Sequence, residues 1–198
     1  MRKNIKQFIS DCSDNFYLSG TIYEFGSLQV KGQEGFADLR PFFKGYDYIG
    51  CDYREGLGVD KVINIHNTGL EDGSVGTVIC CDTLEHVLNP ITAINEMKRI
   101  LDKKGVLIIT SVMKFPIHDY PHDYWRFTPE CFKELLSGFD YVNVQWSGDK
   151  SNPHTVVGVA SNVAYDIPRL RQDGLYARVR DYVLPQFAKD LINYIKQI

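Results

Sequence analysis

A strand–helix–strand pattern at residues 77–111 constrains the fold of this chain more than any other feature. An apolar run at residues 78–80 gives way to a polar, acidic loop. Asn89 is placed to cap a helix and Gly105 to end it, and a second apolar run follows at residues 106–109. Two continuously apolar strands joined through a helix indicate a buried parallel sheet. Such sheets bind ligands at the carboxyl ends of their strands, which is where the acidic loop lies.

Composition restricts the class of protein. The chain has 198 residues, of which 44% are hydrophobic and 24% charged, so we expect a single domain over residues 1–198 with a substantial core. A net charge of −3 argues against a nucleic-acid partner held on a broad basic face. The polar first residues are not typical of a signal peptide, and no apolar run approaches the ~20 residues of a membrane span. Five scattered cysteines without a CxxC pair indicate reduced thiols, and we expect a cytoplasmic protein.

The remaining periodicity predicts strands that alternate with helices or loops. Apolar patterns predict strands at residues 21–25, 46–51, 61–65, 77–81 and 106–111, and a closing hairpin of 139–146 with 155–163. Helical spacing predicts an N-terminal helix within residues 1–18, a short helix at 36–43, a helix that starts at Thr128-Pro129, and a last helix at 175–196 that forms core or a dimer surface. The order indicates an α/β, Rossmann-like, doubly wound fold with a mostly parallel, seven-stranded sheet and helices on both faces.

Two predicted strand ends carry residues suited to a nucleoside ligand. Gly26 follows the first strand and allows a ligand to approach the backbone. Asp52 ends the second strand and can accept hydrogen bonds from ribose hydroxyls. The GxGxxG pattern is absent because Leu28 and Val30 stand in the first loop. The absence counts against a dinucleotide, whose pyrophosphate needs those glycines.

Several segments together resemble one family. They are YEFGS (23–27), YIGCD (48–52), LEDGSVGTVICCDTLEHVLNP (70–90), EMKRILDKKGVLIIT (96–110) and PHDYWRFTPECFKELL (121–136). In this order they resemble a small bacterial class I S-adenosylmethionine-dependent methyltransferase. The last segment is similar to a subset associated with glycan biosynthesis. The resemblance implies S-adenosylmethionine as cofactor and a small-molecule or sugar acceptor.

The resemblance also implies which residues surround the cofactor. Asp52 would hold the ribose, Glu24 and Gly26 would lie near the methionine part, and Asp82 would close over the cofactor. The positions carried over are Glu24, Gly26, Ser27, Asp52, Tyr53, Asn64, Ile65, Asp82 and Thr83.

Three histidines are the candidate bases for an oxygen acceptor, because the imidazole pKa lies near the working pH. His86 follows the fourth strand, while His118 and His122 lie in residues 112–128, which we call the arch and expect to cover the acceptor. A metal site formed by His118 and His122 would need a helix, which the neighbouring prolines disfavour, so no metal is predicted.

The arch supports two interpretations. In the first, Asp123, Tyr124 and Arg126 bind the acceptor, since loops on a rigid sheet often carry recognition. In the second, the arch is a packed lid, with Trp125 and Phe127 in the core and Arg126 paired with Asp123. We favour the second for the two aromatic side chains.

The sequence therefore predicts methyl transfer from S-adenosylmethionine to a small-molecule or glycan-related acceptor. A non-catalytic nucleoside or S-adenosylmethionine-binding module and a nicotinamide-dependent oxidoreductase remain as alternatives. The glycine-poor first loop motivates the module, and the missing GxGxxG argues against the oxidoreductase. Expected partners are a small acceptor and a second copy of the chain, with no nucleic acid and no membrane span.

Overall fold

A computed structural model describes residues 1–119 and 122–172. The described residues form a seven-stranded sheet in the order β3-β2-β1-β4-β5-β7-β6, in which β7 alone runs antiparallel to its neighbours. The strands are β1 (Ile22–Phe25), β2 (Tyr48–Asp52), β3 (Lys61–Val62), β4 (Val75–Cys81), β5 (Leu101–Val112), β6 (Tyr141–Asp149) and β7 (Asn152–Ser161). This sheet confirms the predicted doubly wound α/β fold and the closing hairpin.

Three α-helices pack on the sheet in the described part of the chain, and a side-chain cap begins the second and the third of them. They are α1 (Lys3–Asn15), α2 (Pro90–Ile100) and α3 (Pro129–Leu135). The Asn89 side chain accepts a hydrogen bond from the Thr92 amide, and Thr128 accepts one from the Cys131 amide. Both caps precede a proline in the first turn, as predicted. No helix in the described part of the chain is long and apolar enough to cross a membrane.

Two apolar clusters lie in the core of the molecule. The first includes Ile94 and Met97 of α2 and Phe132 of α3, and the second includes Phe8 of α1. Every residue of β4 is buried, because this strand lies in the centre of the sheet. The run of apolar residues in β4 is continuous because both faces of this strand are buried against the core.

Three predicted boundaries are wrong. The expected helix at residues 36–43 is only a short 3₁₀ helix, Arg40–Phe42, and the third strand has two residues instead of five. Helix α2 ends at Ile100, not near Gly105, because Leu101 already pairs with Val75 as the first residue of β5. Strand pairing therefore takes precedence over helical spacing there. The predicted helix at 175–196 lies outside the described residues.

Candidate cofactor and acceptor site

A cavity of about 970 Å³ opens at the carboxyl ends of β1, β2 and β4. The strand order reverses between β1 and β4, so the cavity lies at the topological switch point where open α/β sheets bind ligands. All nine residues predicted for the cofactor line this cavity: Glu24, Gly26, Ser27, Asp52, Tyr53, Asn64, Ile65, Asp82 and Thr83.

Two glycines allow the loop after β1 to lie in close contact with neighbouring segments. Gly26 has a φ of 85°, and a Cβ atom there would overlap the side chain of Thr83. Gly58, in the loop after β2, has a φ of 91°, and a Cβ atom there would overlap the carbonyl oxygen of Ser27. The first loop is poor in glycine, but a glycine of the adjacent loop provides the space for its backbone.

Glu24 is a buried carboxyl group at the end of β1. Burial raises its pKa from 4.5 to about 7, although the Tyr48 hydroxyl donates a 2.7 Å hydrogen bond to it and Arg40 favours its charge. With a pKa near 7, this carboxyl group is partly protonated at neutral pH, and a cation bound beside it would favour the ionised form.

Asp52 and Tyr53 follow one another at the end of β2 but differ in exposure. Asp52 is 8% exposed and accepts a 3.0 Å hydrogen bond from the Arg54 amide. The Tyr53 ring is 59% exposed, and the Arg54 guanidinium lies 4.9 Å from its centre. A buried carboxylate thus lies beside a largely exposed aromatic ring, and Arg54 is close to both.

Asp82 connects the end of β4 with the N-terminal residues. Its φ of 48° is unusual for a residue other than glycine, and its carboxylate accepts a 3.0 Å hydrogen bond from Thr110. Arg2 lies 3.0 Å from the same carboxylate and 3.1 Å from Nδ1 of His154. Arg2 also lines the cavity, and no sequence pattern predicts this because its partners are remote in sequence.

The three candidate bases line the cavity, but they have different partners. Nε2 of His86 lies 3.1 Å from Nε2 of His118. Nδ1 of His122 lies 2.8 Å from the Tyr124 hydroxyl instead. The structure therefore brings His86 and His118 together and places His122 with a different partner.

The arch is held together by an ion pair. Asp123, whose side chain is 1% exposed, forms two contacts with the Arg126 guanidinium, at 2.5 and 2.7 Å. This pair matches the packed-lid interpretation. Asp123 and Arg126 are not among the described residues that line the cavity. Tyr124 does line it. Phe127 is buried as predicted, whereas Trp125 is 43% exposed and its indole NH donates to the Val87 carbonyl, so its placement in the core is wrong.

Glu85 lines the cavity and is not among the residues predicted for the site. It is fully buried, and the Ser111 hydroxyl donates a 2.6 Å hydrogen bond to Oε2. Burial and the nearby charge of Asp82 raise the pKa of this carboxyl group. Glu85 stands in a polar loop after an apolar strand, and this position in the sequence does not show that its carboxyl group is buried.

Comparison with known proteins agrees with this geometry. A family described as "Methyltransferase domain" matches residues 41–109, which include β2 to β4 and most of β5. No curated protein sequence matches the chain.

Solved structures share the fold at low sequence identity. An S-adenosylmethionine-dependent methyltransferase from Archaeoglobus fulgidus has a TM-score of 0.61 at 16% identity, with 81% of this chain and 94% of that chain covered. A second, described as a possible histamine N-methyltransferase of Thermotoga maritima, has a TM-score of 0.59 at 18% identity, with 80% and 89% covered. A phosphoethanolamine N-methyltransferase of Haemonchus contortus, bound to phosphomonomethylethanolamine and S-adenosylhomocysteine, has a TM-score of 0.61 at 14% identity, with 82% and 53% covered. The domain match covers residues 41–109, and the solved structures show that the chain shares their fold.

Proposed function

We propose that this protein transfers the methyl group of S-adenosylmethionine to a small-molecule acceptor bound between the strand ends and the arch. One observation carries the proposal. The buried carboxyl groups of Glu24 and Asp52 lie at or next to the carboxyl ends of two adjacent parallel strands and line a single cavity at the switch point. A cationic nucleoside such as S-adenosylmethionine offers a ribose diol and an ammonium group to match them.

The nucleoside half of the cofactor would lie along β2 and β3. In this proposal Asp52 accepts hydrogen bonds from the ribose hydroxyls, and the exposed ring of Tyr53 stacks on the adenine. Asn64 and Ile65 border the adenine edge, since both line the cavity just beyond β3.

The methionine half would lie at the ends of β1 and β4. Glu24 would face the ammonium group, whose positive charge favours the ionised carboxylate. Gly26 contacts Thr83 closely, and both line the cavity together with Asp82. The hydroxyl oxygen of Ser27 is buried and has no hydrogen-bond partner within the described residues, which is consistent with a partner supplied by a ligand.

The chain's part in the reaction would be to align the acceptor and to move one proton. The sulfonium group already makes the methyl carbon electrophilic, so the acceptor atom attacks that carbon as its bond to sulfur breaks. An oxygen acceptor must also lose a proton. We propose that His86, His118 or His122 takes it, because all three line the cavity at the arch.

We infer that the acceptor is a sugar or a glycan-related small molecule. The resemblance at residues 121–136 favours this class, and the arch offers Tyr124 toward the cavity as a polar and aromatic contact. Asp123 and Arg126 would then act by shaping the arch, since they bond to each other rather than line the cavity.

Calorimetric titration with S-adenosylmethionine and S-adenosylhomocysteine tests the proposal. We expect both to bind, and we expect Asp52→Ala to lower the affinity at least about tenfold, because hydrogen bonds to a charged group contribute about 1.5–3 kcal/mol. Asp72→Ala is the matched control, because that carboxylate is 82% exposed and pairs with Arg99 away from the cavity. Its affinity should equal that of the wild type.

Each alternative predicts a different result. Absence of heat with both compounds would contradict the cofactor assignment. Binding without transfer of labelled methyl to any metabolite in an extract would favour the non-catalytic module. Quenching of NADH fluorescence by the protein would favour the oxidoreductase.

A further inference from the structure

Two histidines and a glutamate meet where the arch contacts the turn after β4. Glu85 and His86 belong to a short 3₁₀ helix, Leu84–His86, and His118 belongs to the arch. Each side chain can offer one ligand atom, and these atoms lie within 4.8 Å of one another. All three residues line the cavity proposed for the cofactor and the acceptor.

Hydrogen bonding fixes the tautomer of both imidazoles. Nδ1 of His86 lies 2.8 Å from the carbonyl oxygen of His122, which can only accept. Nδ1 of His118 lies 3.2 Å from Oδ2 of Asp123 and 3.3 Å from the carbonyl oxygen of Pro116, which also only accept. Both rings therefore carry a proton on Nδ1, and in their neutral forms both Nε2 atoms have a free lone pair.

The two free lone pairs face each other. The Nε2 atoms of His86 and His118 are 3.1 Å apart, and two neutral acceptors repel at this distance unless a cation lies between them. If both nitrogens were ~2.05 Å from one metal ion, a separation of 3.1 Å would correspond to an angle of about 98° at the ion. This angle lies within the range of tetrahedral and octahedral coordination. Ligand histidines also commonly donate their second N–H to a carbonyl or a carboxylate, as both do here.

Glu85 provides the third group. It is fully buried, its Oε2 accepts from Ser111, and its Oε1 has no hydrogen-bond partner in the described part of the chain. A buried carboxylate oxygen without a partner costs free energy, and a cation beside it would remove that cost.

We propose that Glu85, His86 and His118 bind one divalent first-row transition-metal ion, of the zinc, cobalt or iron(II) class. Two imidazole nitrogens and one carboxylate oxygen are a donor set that suits such ions and leaves coordination positions open. The open positions would face the cavity and accept an oxygen of the acceptor. This role toward the acceptor rests on the proposed function, whereas binding of the ion does not. With the ion bound, His86 and His118 have no free lone pair, so His122 is the candidate base that remains.

Titration with Co²⁺ alone tests the site, because bound Co²⁺ absorbs visible light according to its ligands. The protein must carry no histidine tag and is stripped with chelator first. We expect one equivalent of Co²⁺ to bind with new visible bands and to be displaced by Zn²⁺. Loss of a partner outside the ligand set usually lowers metal affinity ~10–100-fold, so His86→Ala and His118→Ala should each lower it by at least about a hundredfold.

His122→Ala is the matched control for Co²⁺ binding. Its ring lies in the same arch and lines the same cavity, but it pairs with Tyr124. This variant should bind Co²⁺ like the wild type, because His86 contacts only its backbone carbonyl. Glu85→Gln, which keeps the shape of the buried side chain, should weaken binding without unfolding the protein, as checked by circular dichroism.

Two results would overturn the site. One is the absence of Co²⁺ binding to the wild type. The short distance between the two Nε2 atoms would then be explained by a proton that they share. The other is binding that persists in both His86→Ala and His118→Ala. These titrations contain no S-adenosylmethionine, so their failure is distinct from a failure of the cofactor calorimetry.

Discussion

Glu24 is a single side chain whose charge opposes folding. Burial raises its pKa from 4.5 to about 7, so the folded protein holds this proton more tightly than the unfolded chain. The protonated carboxyl group contributes its full amount to the free energy of unfolding below pH 4.5, and this contribution is lost as the pH rises through 7. Glu24→Gln stays neutral at every pH. We expect the difference in free energy of unfolding, variant minus wild type, to grow by about 1–3 kcal/mol from pH 5 to pH 8.5, measured by urea denaturation.

The exposed Glu71 provides the control for Glu24. Glu71→Gln should differ from the wild type by the same amount at both pH values, because an exposed carboxyl group has nearly the same environment before and after unfolding. A Glu24→Gln difference that does not change with pH would contradict a raised pKa at this position.

Side chains at strand ends could be predicted from the sequence, while side chains with remote partners could not. Asp52 follows an apolar strand directly, so its place at a ligand-binding edge follows from the local pattern. Arg2 reaches the cavity through contacts with Asp82 and His154, which are 80 and 152 residues away in sequence. Glu85 looks like an ordinary loop carboxylate until its contact with Ser111 is known. Such contacts depend on the tertiary structure, which no local pattern encodes.

Beyond β5, the described residues of the arch have no regular secondary structure, and their arrangement depends on one arginine. Arg126 pairs with the buried Asp123 and also donates to the carbonyl oxygens of Phe115 and Pro116, so it joins both ends of the arch. Arg126→Ala would leave the Asp123 carboxylate buried without this partner. We expect a loss of about 1–3 kcal/mol in the free energy of unfolding, measured by urea denaturation.

An exposed ion pair provides the comparison for Arg126. Lys133 lies 2.7 Å from Glu130, and both side chains are more than half exposed. Lys133→Ala should change the free energy of unfolding by less than about 0.5 kcal/mol. Equal losses in Lys133→Ala and Arg126→Ala would show that the arch does not depend on the Asp123 pair.

Elements were predictable where caps and apolar runs agree and unpredictable where they conflict. Asn89 and Thr128 begin their helices as predicted, because a capping side chain acts on its own next turn. The end of α2 was misplaced because Leu101 fits the helical spacing as well as the strand that it joins. The arch contacts the turn after β4 through the Tyr124 and Trp125 amides, both of which donate to the carbonyl oxygen of Glu85. No periodicity predicts such an attachment.

The molecule as a whole places its cavity where the two halves of the sheet meet. The apolar runs predicted the parallel strands and the hairpin predicted the antiparallel β7, whereas the order of the strands is known only from the structure. The cavity combines residues from β1 and β2 on one side of the switch point with residues after β4 and in the arch on the other. A ligand bound there contacts elements that are distant in sequence, so its binding is linked to unfolding of the entire described fold.

This linkage predicts a thermal shift. At a concentration of S-adenosylhomocysteine 100 times its Kd, binding stabilises the folded state by about 2.7 kcal/mol. A domain of this length gains about 2–4 °C in Tm for each kcal/mol, so we expect a rise of about 5–10 °C by differential scanning calorimetry. Asp52→Ala, with an affinity lowered about tenfold, should lose about 1.4 kcal/mol of this effect at the same concentration, or roughly 3–5 °C. Because Asp52 is a buried residue at the end of β2, the Tm of the unliganded variant must be measured first, and only the ligand-induced increment is compared. An increment in Asp52→Ala equal to that of the wild type would place the cofactor away from β2, even if S-adenosylhomocysteine binds.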